Sequence, residues 1–347
     1  MTSNLTDLLT EEMKRTLLAL LVIAFSVAYA ATISAESAFT NWFLQNGGRL
    51  SNIEVAQFPN MGRGFKAARN INEDDEILYI PHKLIFSTKN LVQSVDERTR
   101  KVLETLGSDG ALYAWLLLEK NDPKSFYKPY LDILPTYVSS LVYFNSNELH
   151  ELHSGQLMEE AIEMQTSALA DYEAFLKAYA QIMKERGTPV SAETTIPYGE
   201  YLWAMSMFNS RGLRFQGPVY MAPMADIFNY QHHPVPRPPN NGDFFSKHHK
   251  LNDQGITIHA DRPHRLDPTN AQVFEDYGDN SDEIYFKYHG FVPDENPFRC
   301  AVLGADKVVG ELLVNTPSNA YTGAQGEGLL RGATLPHREL FGHLEFN

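Results

Sequence analysis

Short strand-like segments at both ends of the chain flank a long helical middle section. Apolar runs and alternation predict strands at 53–58, 62–68, 76–80, 256–260 and 271–275. Apolar residues at helical spacing predict helices at 39–44, 96–106, 111–120, 158–186 and 201–209. Strands separated in this way predict an α+β fold of short β-sheets, split by a helical insertion at about 92–200.

The first 37 residues differ in character from the rest of the chain. No charge occurs between Thr16 and Ala35, and Lys14 and Arg15 precede this apolar run. A basic segment, an apolar core and the small-x-small triplet Ala28-Tyr29-Ala30 are typical of a secretory signal peptide. A membrane anchor is the close alternative, because the run reaches the roughly 20 residues that span a bilayer. We therefore expect a secretory or membrane-anchored protein, with a buried helix and a cytoplasmic location as alternatives.

The charge balance excludes one class of partner. The 347 residues carry a formal net charge of −14. Because binding to nucleic-acid phosphates depends on clustered Lys and Arg, no nucleic acid is expected, and a basic protein partner fits better. Cys300 is the only cysteine, which excludes an intrachain disulfide and a cysteine-based zinc site.

A group of histidines suggests a metal-binding protein or metal-dependent hydrolase. Its members are His232, His233, His248, His249, His259 and His264. They stand in loop-like sequence and lack the spacing of a helix-borne metal site. Solvated loop histidines are therefore predicted, and no metal ligand is assigned.

The segment Gly62-Arg63-Gly64 lies beside a predicted strand. Without side chains at the two glycines, the backbone can approach a ligand closely. The strand-to-helix context of a dinucleotide-binding fingerprint is missing, which excludes that type of site. A plain β-turn is the alternative to a ligand-binding turn.

Polar and aromatic residues mark two later segments. Asp226 and Asn229 interrupt an apolar run at 223–230, and buried polar groups there need either a ligand or a structural hydrogen-bond network. Tyr277 stands beside a glycine, and Tyr288 lies two residues before another. A flexible backbone at such positions can expose a phenol, although aromatic residues there also serve as core.

Taken in this order, the glycine segment, the polar segment at 223–230 and the segments around Tyr277 and Tyr288 resemble the SET-domain methyltransferases. The resemblance is specifically to the group similar to the Rubisco large-subunit methyltransferase. The resemblance covers roughly residues 39–298, with supporting segments at 80–85, 116–120, 125–130, 134–135, 203–204 and 210–211. It implies a SET domain at 38–300 and, at 301–347, an extension with a reduced substrate-binding region. The implied activity is methyl transfer from S-adenosyl-L-methionine to a protein substrate, on lysine first and on histidine as the alternative.

The resemblance also implies a role for each site residue. Tyr277 would be the catalytic tyrosine at the mouth of a narrow channel. The implied S-adenosyl-L-methionine contacts are Gly62, Arg63, Gly64, Asp226, Asn229, Tyr230 and Tyr277. The implied substrate channel is lined by Arg211, Tyr285, Tyr288 and Phe291.

Two residues depart from the family pattern. Tyr230 stands where the family has a histidine, and Asp282 replaces the last asparagine of the family's Tyr-Gly-x-x-Ser-Asn segment. A SET-like protein that binds a protein partner without catalysis is therefore an alternative from another functional class. Binding of S-adenosyl-L-methionine discriminates between the enzyme and this binding module.

Overall fold

The computed structural model describes residues 35–299, with gaps at 189, 192–193, 216, 234–246, 268–270 and 279, and also residues 14, 16–18 and 20. Most of the predicted leader and the predicted extension at 301–347 lie outside the described residues. Within the described part of the chain, no helix combines the length and the apolar character needed to cross a bilayer.

Two four-stranded sheets form the β part of the fold. The first contains β1 (Arg49–Leu50), β4 (Glu76–Pro81), β9 (Gly255–His259) and β8 (His249–Asn252), in that order. The second contains β2 (Ile53–Phe58), β3 (Gly62–Ala67), β10 (Gln272–Glu275) and β7 (Asn229–Tyr230), in that order. Each sheet joins strands from both ends of the chain, which confirms the predicted α+β fold.

A helical block separates the two sets of strands. Its helices are α2 (Thr88–Ser94), α3 (Glu97–Glu104), α4 (Gly107–Lys120), α5 (Lys128–Leu131), α6 (Ser146–Glu151), α7 (Gly155–Glu185) and α8 (Tyr198–Arg211), and a further helix, α1 (35–45), precedes β1. A hairpin of β5 (Gly212–Arg214) and β6 (Val219–Met221) follows α8, and α9 (Asp282–Ile284) continues into a π-helical turn, Tyr285–His289.

The helical block is held together by an aromatic core. Helix α7 buries Phe175 and Tyr179 on the face that it turns toward α8. Phe175 and Tyr201 of α8 lie with ring centroids 5.3 Å apart, and Tyr201 also contacts Tyr113 of α4. Such ring pairs stabilise the packing of the helices beyond what the burial of apolar area contributes. This packing fixes the position of α8, whose C-terminal end carries Arg211.

The prediction of solvated loop histidines is wrong for three of them. His248, His249 and His264 are only 1%, 4% and 8% exposed. His249 begins β8 and His248 directly precedes it, and the His249 ring contacts the Glu275 carboxylate of the neighbouring sheet. Burial lowers the pKa of His248 and His264 below the usual value for histidine. Among the residues that the structure describes, no group of three or more His, Cys, Asp or Glu side chains could hold a metal ion.

We expect the free energy of unfolding to decrease as the pH is lowered below about 6.5. An imidazole whose pKa is lower in the folded than in the unfolded chain binds fewer protons when folded, so its stabilising contribution is complete above the unfolded pKa and is lost on acidification. Urea unfolding between pH 7.5 and pH 5.5 measures this dependence.

The variant His264→Leu should make the free energy of unfolding depend less steeply on pH. It removes a buried imidazole whose Nε2 has no hydrogen-bond partner in the described part of the chain. The control His150→Phe changes an exposed side chain on α6 and should leave the dependence unchanged. An identical slope in His264→Leu and in the wild type would contradict this account.

Gly290 ends the π-helical turn and packs against backbone. Its φ is +76°, and a Cβ built on it would lie 2.6 Å from the carbonyl oxygen of Ser139. Gly187, which follows α7, has the same φ of +76° but no atom within 4 Å of such a Cβ. Comparing alanine substitutions at the two glycines therefore separates the effect of backbone strain from that of steric overlap.

We expect Gly290→Ala to destabilise the protein more than Gly187→Ala, by about 1–3 kcal/mol. Both variants place an alanine in the left-handed region, but only Gly290→Ala forces a methyl group into the Ser139 backbone. Urea denaturation of the two variants measures the difference. Equal losses of stability would show that the contact with Ser139 is not as close as described.

Candidate active site

Two cavities of about 580 Å³ and 300 Å³ lie on either side of a common wall. We call them the large and the small cavity. The residues that line both, which we call the shared wall, are Ser210, Arg211, Asp226, Tyr277 and His289. Two compartments that meet at one set of polar side chains can bring two reactants together.

The glycine turn and Asn229 come together at the small cavity. Arg63 and Asn229 both line it. The Asn229 side-chain amide donates to the carbonyl oxygen of Arg63 at 3.2 Å. A Cβ on Gly64 would lie 2.7 Å from this amide nitrogen, so that only glycine leaves room for Asn229 at this point of β3. The glycine segment thus leaves the space that the Asn229 side chain of the polar segment occupies.

The Arg63 side chain is tied down beside the small cavity. Its Nε lies 3.0 Å from the Glu36 carboxylate of α1, and its Nη1 donates to the carbonyl oxygen of Ile133 at 3.0 Å. The guanidinium charge is therefore neutralised within the fold. The backbone of Arg63 and the side chain of Asn229 are therefore the groups that can contact a ligand in the small cavity.

Tyr277 stands in the shared wall, two residues after the end of β10. Its hydroxyl donates to the carbonyl oxygen of Phe228 at 2.5 Å. Burial, and then the nearby Glu275 charge, raise the pKa of this phenol well above its usual value. The hydroxyl therefore stays protonated and cannot act as a base, whereas its oxygen can accept weak contacts.

Arg211 and Asp226 form an ion pair in the same wall. The Asp226 side chain is 1% exposed, and its Oδ2 accepts hydrogen bonds from Arg211 at 3.2 Å and from the Tyr130 hydroxyl at 3.0 Å. Arg211 also donates to the Asp226 carbonyl oxygen at 2.9 Å. Within the described part of the chain, Asp226 Oδ1 and Arg211 Nε have no hydrogen-bond partner. Buried polar atoms without partners at a cavity wall are suited to binding a ligand.

The end of α8 places Arg211 in the wall. The backbone N–H of Gly212 donates to the carbonyl oxygen of Phe208, and a Cβ at Gly212 would lie 2.4 Å from that oxygen. Glycine therefore lets the chain change from helix to the β5–β6 hairpin within one residue. The change leaves Arg211 on the last helical turn, within reach of Asp226.

The four predicted channel residues lie in different places. Arg211 lines both cavities, Tyr288 lines the large cavity and Phe291 lines the small one. Tyr285 is fully buried and lines neither of the two cavities. Its ring packs against Tyr230 at 4.7 Å, and its hydroxyl donates to the carbonyl oxygen of Gly278 at 3.2 Å. It supports the backbone that follows Tyr277.

Both departures from the family pattern have structural roles. The Tyr230 ring lies 5.4 Å from the Tyr277 ring and 6.2 Å from the Phe291 ring, so it fills the space behind the catalytic candidate. The Asp282 carboxylate accepts hydrogen bonds from Asn296 at 2.8 Å and from Arg299 at 2.5 Å. Asp282 thereby anchors the segment that follows α9.

Sequence reasoning assigned no role to several residues that line the cavities. Leu213, Arg214, Asn280 and Ile284 line the large cavity, and His289 lines both. The first two lie on the β5–β6 hairpin, which has only three residues in each strand and gives no periodic signal. His289 stands inside the quoted Tyr288-His289-Gly290-Phe291 segment, but only the fold shows that it faces the wall.

Comparisons with known proteins show which proteins the chain is similar to. No family model matches the chain. The actin-histidine N-methyltransferase of Canis lupus familiaris is 25% identical over 264 residues, which are 74% of this chain and 42% of that protein. The enzyme of the same name from Xenopus tropicalis is 29% identical over 173 residues, 49% of this chain and 29% of the relative. The chain thus spans less than half the length of these relatives.

Solved structures show the same fold. The SET domain of LSMT bound to methyllysine and AdoHcy matches with a TM-score of 0.63 at 20% identity, covering 75% of this chain and 57% of that one. Rubisco LSMT bound to AdoMet matches with a TM-score of 0.62 at 20% identity and the same coverage. The predicted resemblance to the Rubisco large-subunit methyltransferase-like group is confirmed, and the chain has the SET-domain fold.

Proposed function

We propose that this protein is an S-adenosyl-L-methionine-dependent protein methyltransferase that modifies a side-chain nitrogen, with lysine as the first candidate. The observation that carries the proposal is the pair of cavities that meet at Tyr277 and its neighbours in the shared wall. A methyl donor in one cavity and a protein side chain in the other would face each other across that wall. The relatives' names and ligands support the same activity.

The small cavity is the better candidate for the cofactor. Both cavities have volumes in the range of small-molecule sites, but Arg63 and Asn229 line only the small one. The glycine turn and Asn229 offer backbone and amide groups there, as the family resemblance implies. The Oδ1 of Asp226, which has no hydrogen-bond partner in the described part of the chain, can accept a hydrogen bond from a ligand.

The large cavity is suited to a substrate side chain. Leu213 and Ile284 give it apolar surface, and its two arginines, Arg211 and Arg214, are matched by two carboxylates, those of Asp226 and Glu275. Apolar surface disfavours a protonated amine and favours the neutral form. Because the reference pKa of lysine is about 10.4, most lysine is protonated at neutral pH, and a channel that favours the neutral amine would assist the reaction.

Methyl transfer at this wall is chiefly a matter of alignment. The nitrogen lone pair attacks the methyl carbon, an N–C bond forms, and the S–C bond breaks with its electron pair going to sulfur. The protein must hold nitrogen, carbon and sulfur in line. Tyr277, as a neutral phenol, can receive weak C–H···O contacts from the electron-poor methyl group.

Histidine is the second candidate acceptor. The curated relatives are named actin-histidine N-methyltransferases, whereas two of the matched structures hold lysine or methyllysine. An imidazole also attacks as a neutral nitrogen, so the same channel chemistry serves both acceptors. Incubation with actin and with Rubisco, followed by mass spectrometry, identifies the residue that gains a methyl group. Methyl-lysine would support the first candidate and methyl-histidine the second.

The variant Gly64→Ala should weaken binding of S-adenosyl-L-methionine about tenfold or more, which corresponds to ~1.4 kcal/mol. The added methyl group displaces the Asn229 amide, 2.7 Å away, from the small cavity. The control Gly199→Ala adds a methyl group on α8 with no atom within 4 Å. Calorimetric titration of both variants measures the change. Unchanged affinity in Gly64→Ala would place the cofactor elsewhere.

The variant Tyr277→Phe should reduce the rate of methyl transfer on the order of 10²-fold while the affinity for S-adenosyl-L-methionine changes little. The substitution removes the hydroxyl oxygen but keeps the ring that packs against Tyr230. Single-turnover transfer to the identified acceptor measures the rate, and the matched control Tyr137→Phe removes an exposed hydroxyl. A rate in Tyr277→Phe equal to that of the wild type would contradict the proposed role.

A further inference from the structure

His289 occupies a position that the proposed function leaves unexplained. It ends the π-helical turn and lines both the large and the small cavity. Its ring centroid lies 5.5 Å from that of Tyr277 and 6.1 Å from that of Phe291. Of the histidines in the described residues, it alone lines the shared wall.

The His289 imidazole is held in its neutral form. Burial lowers its pKa to about 4, and the positive charge of Arg211 acts in the same direction. A hydrogen bond to the backbone of Ser210, also in the shared wall, opposes the shift. A neutral imidazole has one N–H that donates and one unprotonated nitrogen that accepts.

We propose that, for a lysine acceptor, the unprotonated ring nitrogen of His289 accepts a hydrogen bond from an N–H of the attacking amine and so aims its lone pair at the methyl group. The inference rests on the proposed function. A wall that separates donor and acceptor is the place where the attacking nitrogen must lie, and His289 is part of it.

The other polar groups of the wall are less suited to this task. The Tyr277 hydroxyl already donates to Phe228, and its oxygen is assigned to the contacts with the methyl group. The Asp226 carboxylate would favour the protonated amine, which has no lone pair with which to attack. A neutral imidazole can accept from N–H without adding negative charge to the site.

The proton balance is simple. A neutral primary amine has two N–H bonds, and one of them can donate to His289 while the lone pair attacks. After the N–C bond forms and the neutral thioether leaves, the nitrogen carries a positive charge and releases a proton to water. His289 orients the nucleophile and need not keep the proton.

Sinefungin tests this inference without a protein substrate. It carries an amine in place of the transferable methyl group, whereas S-adenosylhomocysteine has nothing at that position. The ratio of the two affinities therefore reports a contact at the point of transfer. Calorimetry with both ligands should show that the ratio of the sinefungin affinity to the S-adenosylhomocysteine affinity falls about tenfold in His289→Phe.

Matched variants separate the hydrogen bond from packing. In His289→Gln an amide oxygen can replace the ring acceptor, so the ratio should stay near the wild-type value. His289→Leu removes the acceptor with a smaller side chain and should behave like His289→Phe. The affinity for S-adenosylhomocysteine shows that each variant is folded, and His150→Phe, which changes an exposed histidine, should leave both affinities unchanged.

The outcomes distinguish this inference from the proposed function. If wild type binds both ligands and the ratio is the same in His289→Phe and His289→Leu, the role of His289 is overturned and the proposed function stands. If folded wild-type protein binds neither ligand, the proposed function fails, and the inference that rests on it fails with it.

Discussion

The buried ion pair between Arg211 and Asp226 holds the candidate site together. Arg211 ends α8, Asp226 lies in the turn before β7, and Tyr130 of α5 donates to the same carboxylate oxygen. The helical insertion and the strand-bearing part of the chain thus meet at one carboxylate. A buried charge pair of this kind costs desolvation energy and stabilises only if its hydrogen bonds are made. Its geometry therefore fixes where the two cavities meet.

The remaining parts of the site depend on that contact. The turn that carries Asp226 leads directly into β7, which pairs in parallel with β10 and sets Asn229 opposite Phe274. The end of β10 in turn positions Tyr277, whose hydroxyl reaches back to Phe228. Glycine at position 64 gives Asn229 the space that it needs. Small residues and short strands thus place the polar groups that face the small cavity.

Much of this arrangement could be predicted from the sequence because local patterns carry it. Strong periodicity predicted α7 and α8 and the strands β2, β3 and β9, and the polar interruptions at Asp226 and Asn229 pointed to the site. The β5–β6 hairpin and β8 were missed, since strands of three or four residues leave little periodic signal. The burial of His248 and the position of His289 in the wall arise from contacts between distant segments, which no local pattern encodes.

The central claim is that a methyl donor and a nitrogen nucleophile meet at the shared wall. A crystal structure of the protein with S-adenosylhomocysteine tests it most directly. The account predicts the ligand in the small cavity, against Asn229 and the glycine turn, with its sulfur directed at Tyr277 and His289. Ligand density in the large cavity, or at a surface away from Tyr277, would contradict it.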